Sequence, residues 1–158
     1  MQPDRRFLLA HPAHFFALGF GSGLAPKAPG TFGTLAAFPV YWLLQGASFY
    51  WAWVLLFVVV GVWICDVSGR VLGVPDHGAI VWDEIAAFLL VLPFAPASLV
   101  GYALAFALFR LFDIWKPFPI GWVDARVRGG LGVMLDDLLA AGYVVIILLA
   151  VRRSGLIG

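Results

Sequence analysis

Charged residues are scarce in this sequence. Asp, Glu, Lys and Arg make up 12% of its 158 residues, whereas apolar types reach 63%; soluble proteins have about 25% and about 45–50% respectively. This balance is typical of an integral membrane protein, and we expect a lipid bilayer around the chain. The formal net charge of +1 provides no basic face for a phosphate backbone, which argues against nucleic acid as a partner.

Cysteine and histidine are also rare. The one cysteine, Cys65, excludes an internal disulfide and a cysteine-rich metal site. Of the three histidines only His77 lies among acidic residues, so no Ser-His-Asp arrangement stands out. A length of 158 residues indicates one domain.

Long stretches without any charge divide the chain, over residues 28–65, 85–109 and 138–151. A helix needs about 20 residues to cross the hydrocarbon, and about 17 at the least. The sequence therefore predicts an all-α, polytopic membrane fold with about five short transmembrane helices. Their predicted ranges are 31–45, 49–65, 80–92, 97–114 and 132–151. Residues 1–30 are predicted to form an interfacial segment, so that one domain, 1–158, contains this segment and a transmembrane bundle over about 31–151.

Basic residues predict how these helices are oriented. Five crossings place residues 1–30, 66–79 and 115–131 on one side of the membrane. That side contains Arg5, Arg6, Lys27, Arg70, Lys116, Arg126 and Arg128, whereas Arg152 and Arg153 fall on the other side. Because loops rich in Lys and Arg stay in the cytoplasm, we predict that the charged loops face the cytoplasm.

Acidic residues lie on this same side or at its membrane border. The border residues are Asp66, Asp83, Glu84, Asp113, Asp136 and Asp137. Clustered carboxylates repel one another and need a counter-charge, and hard oxygen ligands favour Mg²⁺ or Mn²⁺. The two adjacent acidic pairs therefore predict a divalent-cation site. Plainer roles stay open for single acids: Asp113 can pair with Arg110, and Asp136 and Asp137 can complement a helix N-terminus.

Two glycine-rich stretches, residues 21–34 and 129–132, each lead into a predicted helix. Exposed backbone N–H groups at a helix start can bind an anion, although glycine also permits close packing of membrane helices. Thr31 can add a hydroxyl or serve as an N-cap. Together with Lys116 and Arg110, these stretches indicate phosphate chemistry at the membrane surface.

Three sequence blocks resemble the phosphatidylglycerophosphatase A family of bacterial inner-membrane lipid phosphatases. They are GFGSGLAPKAPGTFGTLAA (19–37), DHGAIVWDE (76–84) and the segment 109–142. The resemblance implies Mg²⁺-dependent hydrolysis of phosphatidylglycerophosphate to phosphatidylglycerol, in the bacterial inner membrane. It implies metal or catalytic roles for Asp83, Glu84, Asp113, Asp136 and Asp137, and phosphate binding by Thr31, Lys116 and the backbones of Gly30 and Gly130. Asp76 and Asp124 match family positions without an evident role.

In the mechanism we expect, Asp83 or Asp136 acts as the general base and Lys116 offsets charge on the transferring phosphoryl group, with Arg110 nearby. An aspartyl-phosphate intermediate stays open.

A CDP-alcohol phosphotransferase-like enzyme is an alternative, but its D-x2-D-G-x2-A-R pattern is missing. A small cation transporter is another, but it predicts acids on both sides of the membrane. The sequence leaves the oligomeric state open.

Overall fold

The computed structural model describes residues 1–155, which form α-helices and short 3₁₀-helices and contain no strand. The α-helices are α1 (Arg5–Ala10), α2 (Pro12–Ala17), α3 (Pro29–Leu44), α4 (Tyr50–Leu72), α5 (Trp82–Val91), α6 (Leu99–Trp115), α7 (Ile120–Arg126) and α8 (Gly129–Ser154). Segments Gly19–Leu24 and Leu92–Phe94 are 3₁₀-helical. The all-α prediction is confirmed. Residues 156–158 of the predicted domain lie outside the described residues.

The N-terminal segment consists of two short helices joined at a histidine. Asp4 caps α1, its carboxylate accepting from the Phe7 N–H at 2.8 Å, and His11 caps α2 by accepting from Ala13. His14 stacks on Phe7, with 4.1 Å between ring centroids. It also shares a 2.9 Å hydrogen bond with Ser68 of α4. These contacts anchor the segment predicted to be interfacial onto the helix bundle.

Helix α5 occupies the centre of the bundle. Nine of its ten residues are buried, and it packs against α3, α4 and α8. Ten residues extend only about 15 Å, roughly half the hydrocarbon thickness. The structure therefore contains a helix within the predicted span 80–92, but that helix is too short to cross a bilayer alone.

Two helices among the described residues are long and apolar enough to cross a membrane, α4 with 23 residues and α8 with 26. Helices α3 and α6 follow the predicted positions but have only 16 and 17 residues. The helix positions therefore agree with the predicted bundle, whereas these lengths do not support a count of five crossings.

The loop predicted over residues 115–131 contains an additional short helix, α7. Before it, Lys116 ends α6 in a left-handed conformation, with φ of 48°, which turns the chain away from the helix axis. Helix α7 then packs against α8. After this reversal, Asp124 of α7 and Asp136 of α8 both contact Lys116.

Candidate active site

Lys116 lies at the meeting point of four chain segments. Its Nζ donates to Asp124 Oδ1 of α7 at 2.8 Å and to Asp136 Oδ2 of α8 at 2.7 Å. Asp76, in the loop before α5, lies 4.0 Å from the same nitrogen. Residues distant in sequence thus form one ionic cluster around a single ammonium group.

The three carboxylates of this cluster are close enough to share one cation. One oxygen from each of Asp76, Asp124 and Asp136 lies within 4.8 Å of the others. Asp136 is buried, while Asp76 and Asp124 are exposed and line a cavity of about 400 Å³ whose wall includes Arg128. The cluster is therefore accessible from the surface of the protein through Asp76 and Asp124.

Ionisation at the cluster reflects both burial and charge. Partial desolvation in the cavity raises the pKa of Asp76 above its usual value, and the neighbouring Asp124 and Asp113 raise it further, against the opposing effect of Lys116. Burial opposes the charge of Lys116, yet its hydrogen bonds to Asp124 and Asp136 raise the lysine pKa above its usual range. Lys116 therefore remains an ammonium ion at any physiological pH.

A second ionic cluster centres on Arg110 of α6. Its Nη1 donates to Glu84 Oε1 of α5 at 2.8 Å and to Asp113 Oδ2 at 2.5 Å. The ion pair between Asp113 and Arg110, left open by the sequence, is present. Gly30 of α3 lies against this cluster, and a side-chain carbon there would collide with Glu84 and Arg110. The absence of a side chain at Gly30 therefore leaves room for the ion pair between Glu84 and Arg110.

Asp83 and Asp137 are the most isolated acids of the site. They are 5% and 2% exposed, and Asp83 Oδ1, Asp137 Oδ2 and Glu84 Oε2 have no hydrogen-bond partner among the described residues. Asp83 lies on α5 and Asp137 on α8, two helices that pack against each other. Buried carboxylate oxygens without partners are costly, and a bound cation would lower that cost.

The glycine-rich segments have packing roles in the structure. The Gly130 N–H, predicted to bind phosphate, donates to Asp66 Oδ1 at 3.3 Å, and a side chain at Gly130 would collide with the Val62 carbonyl of α4. Thr31 lies in the first turn of α3, where its N–H donates to the Ala28 carbonyl. Gly130 therefore matches the close-packing alternative, with its N–H already bonded to a carboxylate.

The structure groups most of the predicted site residues into these clusters. Asp136 and Lys116 belong to the first, Glu84, Asp113 and Arg110 to the second, and Asp83 and Asp137 are the isolated pair. Sequence reasoning gave Asp76 and Asp124 no role, although both contribute to the three-carboxylate group. Their position on the acidic side of the predicted bundle was the one sequence signal that they could belong to the site. The turn at Lys116, which brings them together, could not be predicted from the sequence.

Comparison with known proteins identifies relatives across most of the chain. The family model described as phosphatidylglycerophosphatase A matches residues 15–152. Phosphatidylglycerophosphatase A of Escherichia coli is 42% identical over 138 residues, covering 85% of this chain and 80% of the E. coli protein. The Haemophilus influenzae protein of the same name is 42% identical over 154 residues, covering 95% of this chain and 94% of that protein.

A third relative carries a different name. A Bacteroides thetaiotaomicron protein, provisionally named a phosphatidylinositol-3-phosphatase, is 39% identical over 145 residues, covering 85% of this chain and 89% of its own length. No solved structure matches the chain. The three relatives share names of lipid phosphatases and differ in the headgroup that those names specify.

Proposed function

Because the chain belongs to the phosphatidylglycerophosphatase A family, we propose that it hydrolyses phosphatidylglycerophosphate to phosphatidylglycerol and phosphate in phospholipid biosynthesis. The predicted family resemblance is confirmed, and the protein is an enzyme of the phosphatase class. The structural observation that best supports this reaction is the group of buried carboxylates beside the two cationic side chains Lys116 and Arg110. Family membership favours this reaction over the phosphotransferase and transporter alternatives.

The residues present fit Mg²⁺ as a cofactor. The unpartnered oxygens of Asp83, Glu84 and Asp137 are hard ligands that require positive charge. Of the predicted ligands Asp83, Glu84, Asp113, Asp136 and Asp137, only Glu84 and Asp113 contact Arg110. Bound at these carboxylates, Mg²⁺ would supply a Lewis acid that polarises the phosphoryl oxygens and lowers the pKa of water.

Hydrogen bonding distinguishes the two candidate general bases. Asp136 accepts from Lys116 through Oδ2 and from the Asp137 N–H through Oδ1, so both of its oxygens are engaged. Asp83 Oδ1 has no such partner and, with the ion held by the other carboxylates, can accept a proton from an attacking water. Asp83 is therefore the better candidate for the base, and Lys116 Nζ is the candidate donor to the phosphoryl oxygens.

Apolar surface supports a membrane location. Trp51, Leu55, Val59 and Trp63 form an exposed stripe along α4, and such stripes on a helix surface are suited to lipid. With the bacterial relatives, this supports a multi-pass protein of the bacterial inner membrane whose carboxylate clusters face the cytoplasm. The acyl chains of the substrate then stay in the bilayer, and only the headgroup enters the site.

A second candidate reaction uses the same chemistry on another headgroup. The name of the B. thetaiotaomicron relative specifies a phosphatidylinositol phosphate. Hydrolysis of phosphatidylinositol 3-phosphate by this chain is therefore the alternative to test beside phosphatidylglycerophosphate.

Phosphate release from both lipids in mixed micelles, with Mg²⁺ and then with EDTA, tests the proposal. We expect release from phosphatidylglycerophosphate that requires Mg²⁺ and falls at least about 100-fold in Asp83→Asn, since a catalytic base typically contributes about 10²–10⁴. Asp4→Asn, at the exposed cap of α1, is the control and should retain activity. Preferential release from the inositol lipid would replace the proposed substrate, and full activity of Asp83→Asn would remove Asp83 from the mechanism.

A further inference from the structure

The ammonium group of Lys116 occupies the place that a metal ion would take among three carboxylates. It lies 2.7 Å from Asp136, 2.8 Å from Asp124 and 4.0 Å from Asp76. One oxygen of each acid lies within 4.8 Å of the other two, a spacing that a single divalent cation can bridge. A lysine in such a position neutralises the acids only in part, because it carries one charge.

The surroundings of this group have an excess of negative charge. Asp83 lies on α5, which packs against α8, the helix that carries Asp136, and its Oδ1 is buried without a partner among the described residues. The same holds for Asp137 Oδ2. One lysine thus faces three acids, and two further buried acids lie on the packed helices α5 and α8. A cation of higher charge is therefore attracted to this position more strongly than an ammonium is.

A route to the group is present. The cavity of about 400 Å³ is lined by Asp76 and Asp124, while Asp136 forms the buried end of the group. An ion from the aqueous side can therefore reach the exposed acids first.

We propose that Asp76, Asp124 and Asp136 form a divalent-cation site that the Lys116 ammonium fills when no ion is bound, and that the ion and the ammonium exchange. The inference rests on the proposed Mg²⁺ dependence and adds two ligands, Asp76 and Asp124, that neither the sequence nor the relatives assign. An ammonium and a metal ion at the same three carboxylates repel each other, so each weakens the binding of the other. Ion binding therefore releases Lys116 Nζ, which becomes available to a substrate phosphate.

Direct metal binding tests the exchange without any lipid. Mn²⁺ binding to the purified chain in micelles is measured by the loss of the free-ion electron paramagnetic resonance signal. Removing the competing charge in Lys116→Met should tighten Mn²⁺ binding about tenfold or more, since one nearby charge commonly shifts an ionisation equilibrium by about 1–3 pKa units. Asp124→Asn should weaken it by a similar factor. Lys27→Met, at an exposed lysine, is the matched control and should bind as wild type.

Unchanged or weaker Mn²⁺ binding in Lys116→Met would overturn the proposal. Thermal unfolding of each variant in the same micelles identifies a loss of binding that follows from misfolding. If Lys116→Met does not fold, Lys116→Arg provides the comparison: its guanidinium remains a competing cation, so it should bind Mn²⁺ within about threefold of wild type. Much tighter binding by Lys116→Arg would contradict competition.

Amine labelling gives a second readout on the unmodified protein. The chain has two lysines, Lys27 and Lys116, so Lys27 is an internal reference for labelling followed by mass spectrometry. We expect the labelling rate of Lys116 to rise several-fold on adding Mg²⁺, with that of Lys27 unchanged. A Lys116 rate that stays constant or falls would overturn the exchange. Phosphate release is measured separately, so loss of the proposed activity and failure of the exchange are distinguishable.

Discussion

Each of the two cationic residues of the site serves more than one acid. Arg110 contacts Glu84 and Asp113, and Lys116 contacts Asp124 and Asp136. Loss of one cation therefore leaves at least two carboxylates without a counter-charge, which is more costly than loss of an isolated surface ion pair. Substitutions at these shared residues should have larger effects than the same substitutions elsewhere in the chain.

Replacement of Arg110 by methionine is expected to destabilise the fold by about 3 kcal/mol, a typical cost of removing one partner from a buried ion pair. Glu84 and Asp113 lose their contact, and both are largely buried. Adding Glu84→Gln should restore part of the loss because one unpaired charge is then removed. Denaturant unfolding of both variants in micelles measures this. A double variant less stable than Arg110→Met would argue against charge imbalance as the cause.

Replacement of Gly30 by alanine is expected to lower both stability and phosphate release. The added carbon would collide with Glu84 and Arg110, and the ion pair must shift to admit it. Gly46→Ala is the matched control, because no atom lies within 4 Å of a side-chain carbon at that turn. The two variants are compared by unfolding temperature and by initial rate. Equal behaviour of the pair would show that Gly30 has no packing role.

Among the elements, the α1–α2 segment depends on one buried histidine for its attachment. His14 contacts Phe7 of α1 and Ser68 of α4, and so connects the segment internally and to the bundle. Burial, with a smaller effect of His11, lowers the pKa of His14 below its usual value. The neutral ring is therefore the form that the folded segment favours.

Acidification should weaken this attachment. Because the folded-state pKa of His14 is lowered, the unfolded chain binds a proton more readily, and stability rises with pH until both states are neutral. We expect stability to be complete above the unfolded pKa of about 6.5 and to fall as the pH decreases below it. His14→Gln should flatten this dependence. Hydrogen exchange of residues 5–17 between pH 7.5 and pH 5 measures it, and an unchanged slope in the variant would assign the effect to another group.

Helix positions were predictable from charge-free stretches, whereas their depth and packing were not. The turn at residues 46–48 and the break at 93–96 separate helices as expected, because glycine and proline interrupt helices locally. The short length of α5 and its central position follow from contacts with three other helices. No local pattern encodes such contacts, and α7 was missed for the same reason.

Site prediction had a similar limit. The acids of adjacent pairs, Asp83 with Glu84 and Asp136 with Asp137, were evident as candidates. Which cation serves which acid depends on the side to which each chain segment turns: Arg110 reaches Glu84, and Lys116 reaches Asp124 and Asp136. The Gly130 N–H donates to Asp66 of α4, and the sequence alone could not show that this contact occupies the N–H.

For the whole molecule, the number of membrane crossings can be measured by cysteine labelling. Cys65 is the one cysteine and is buried, so Cys65→Ala provides the background for single substitutions at Lys27, Gly46 and the exposed Ala97. A five-crossing topology predicts that an impermeant maleimide labels Gly46→Cys and Ala97→Cys in intact cells and Lys27→Cys only after permeabilisation. Labelling of Ala97→Cys only after permeabilisation would show that α5 and α6 do not cross the membrane.

In the proposed membrane location, the unequal helix lengths have a consequence for the lipid around the chain. Helices α3 and α6, with 16 and 17 residues, extend about 24–26 Å, less than the hydrocarbon thickness of about 30 Å. Helices α4 and α8, with 23 and 26 residues, are longer than that thickness. The hydrophobic mismatch should therefore thin the bilayer beside α3 and α6, which lowers lipid headgroups toward Arg110 and Glu84. In reconstituted vesicles, phosphate release should be faster in short-chain than in long-chain lipids, and equal rates would show that local thinning does not assist substrate entry.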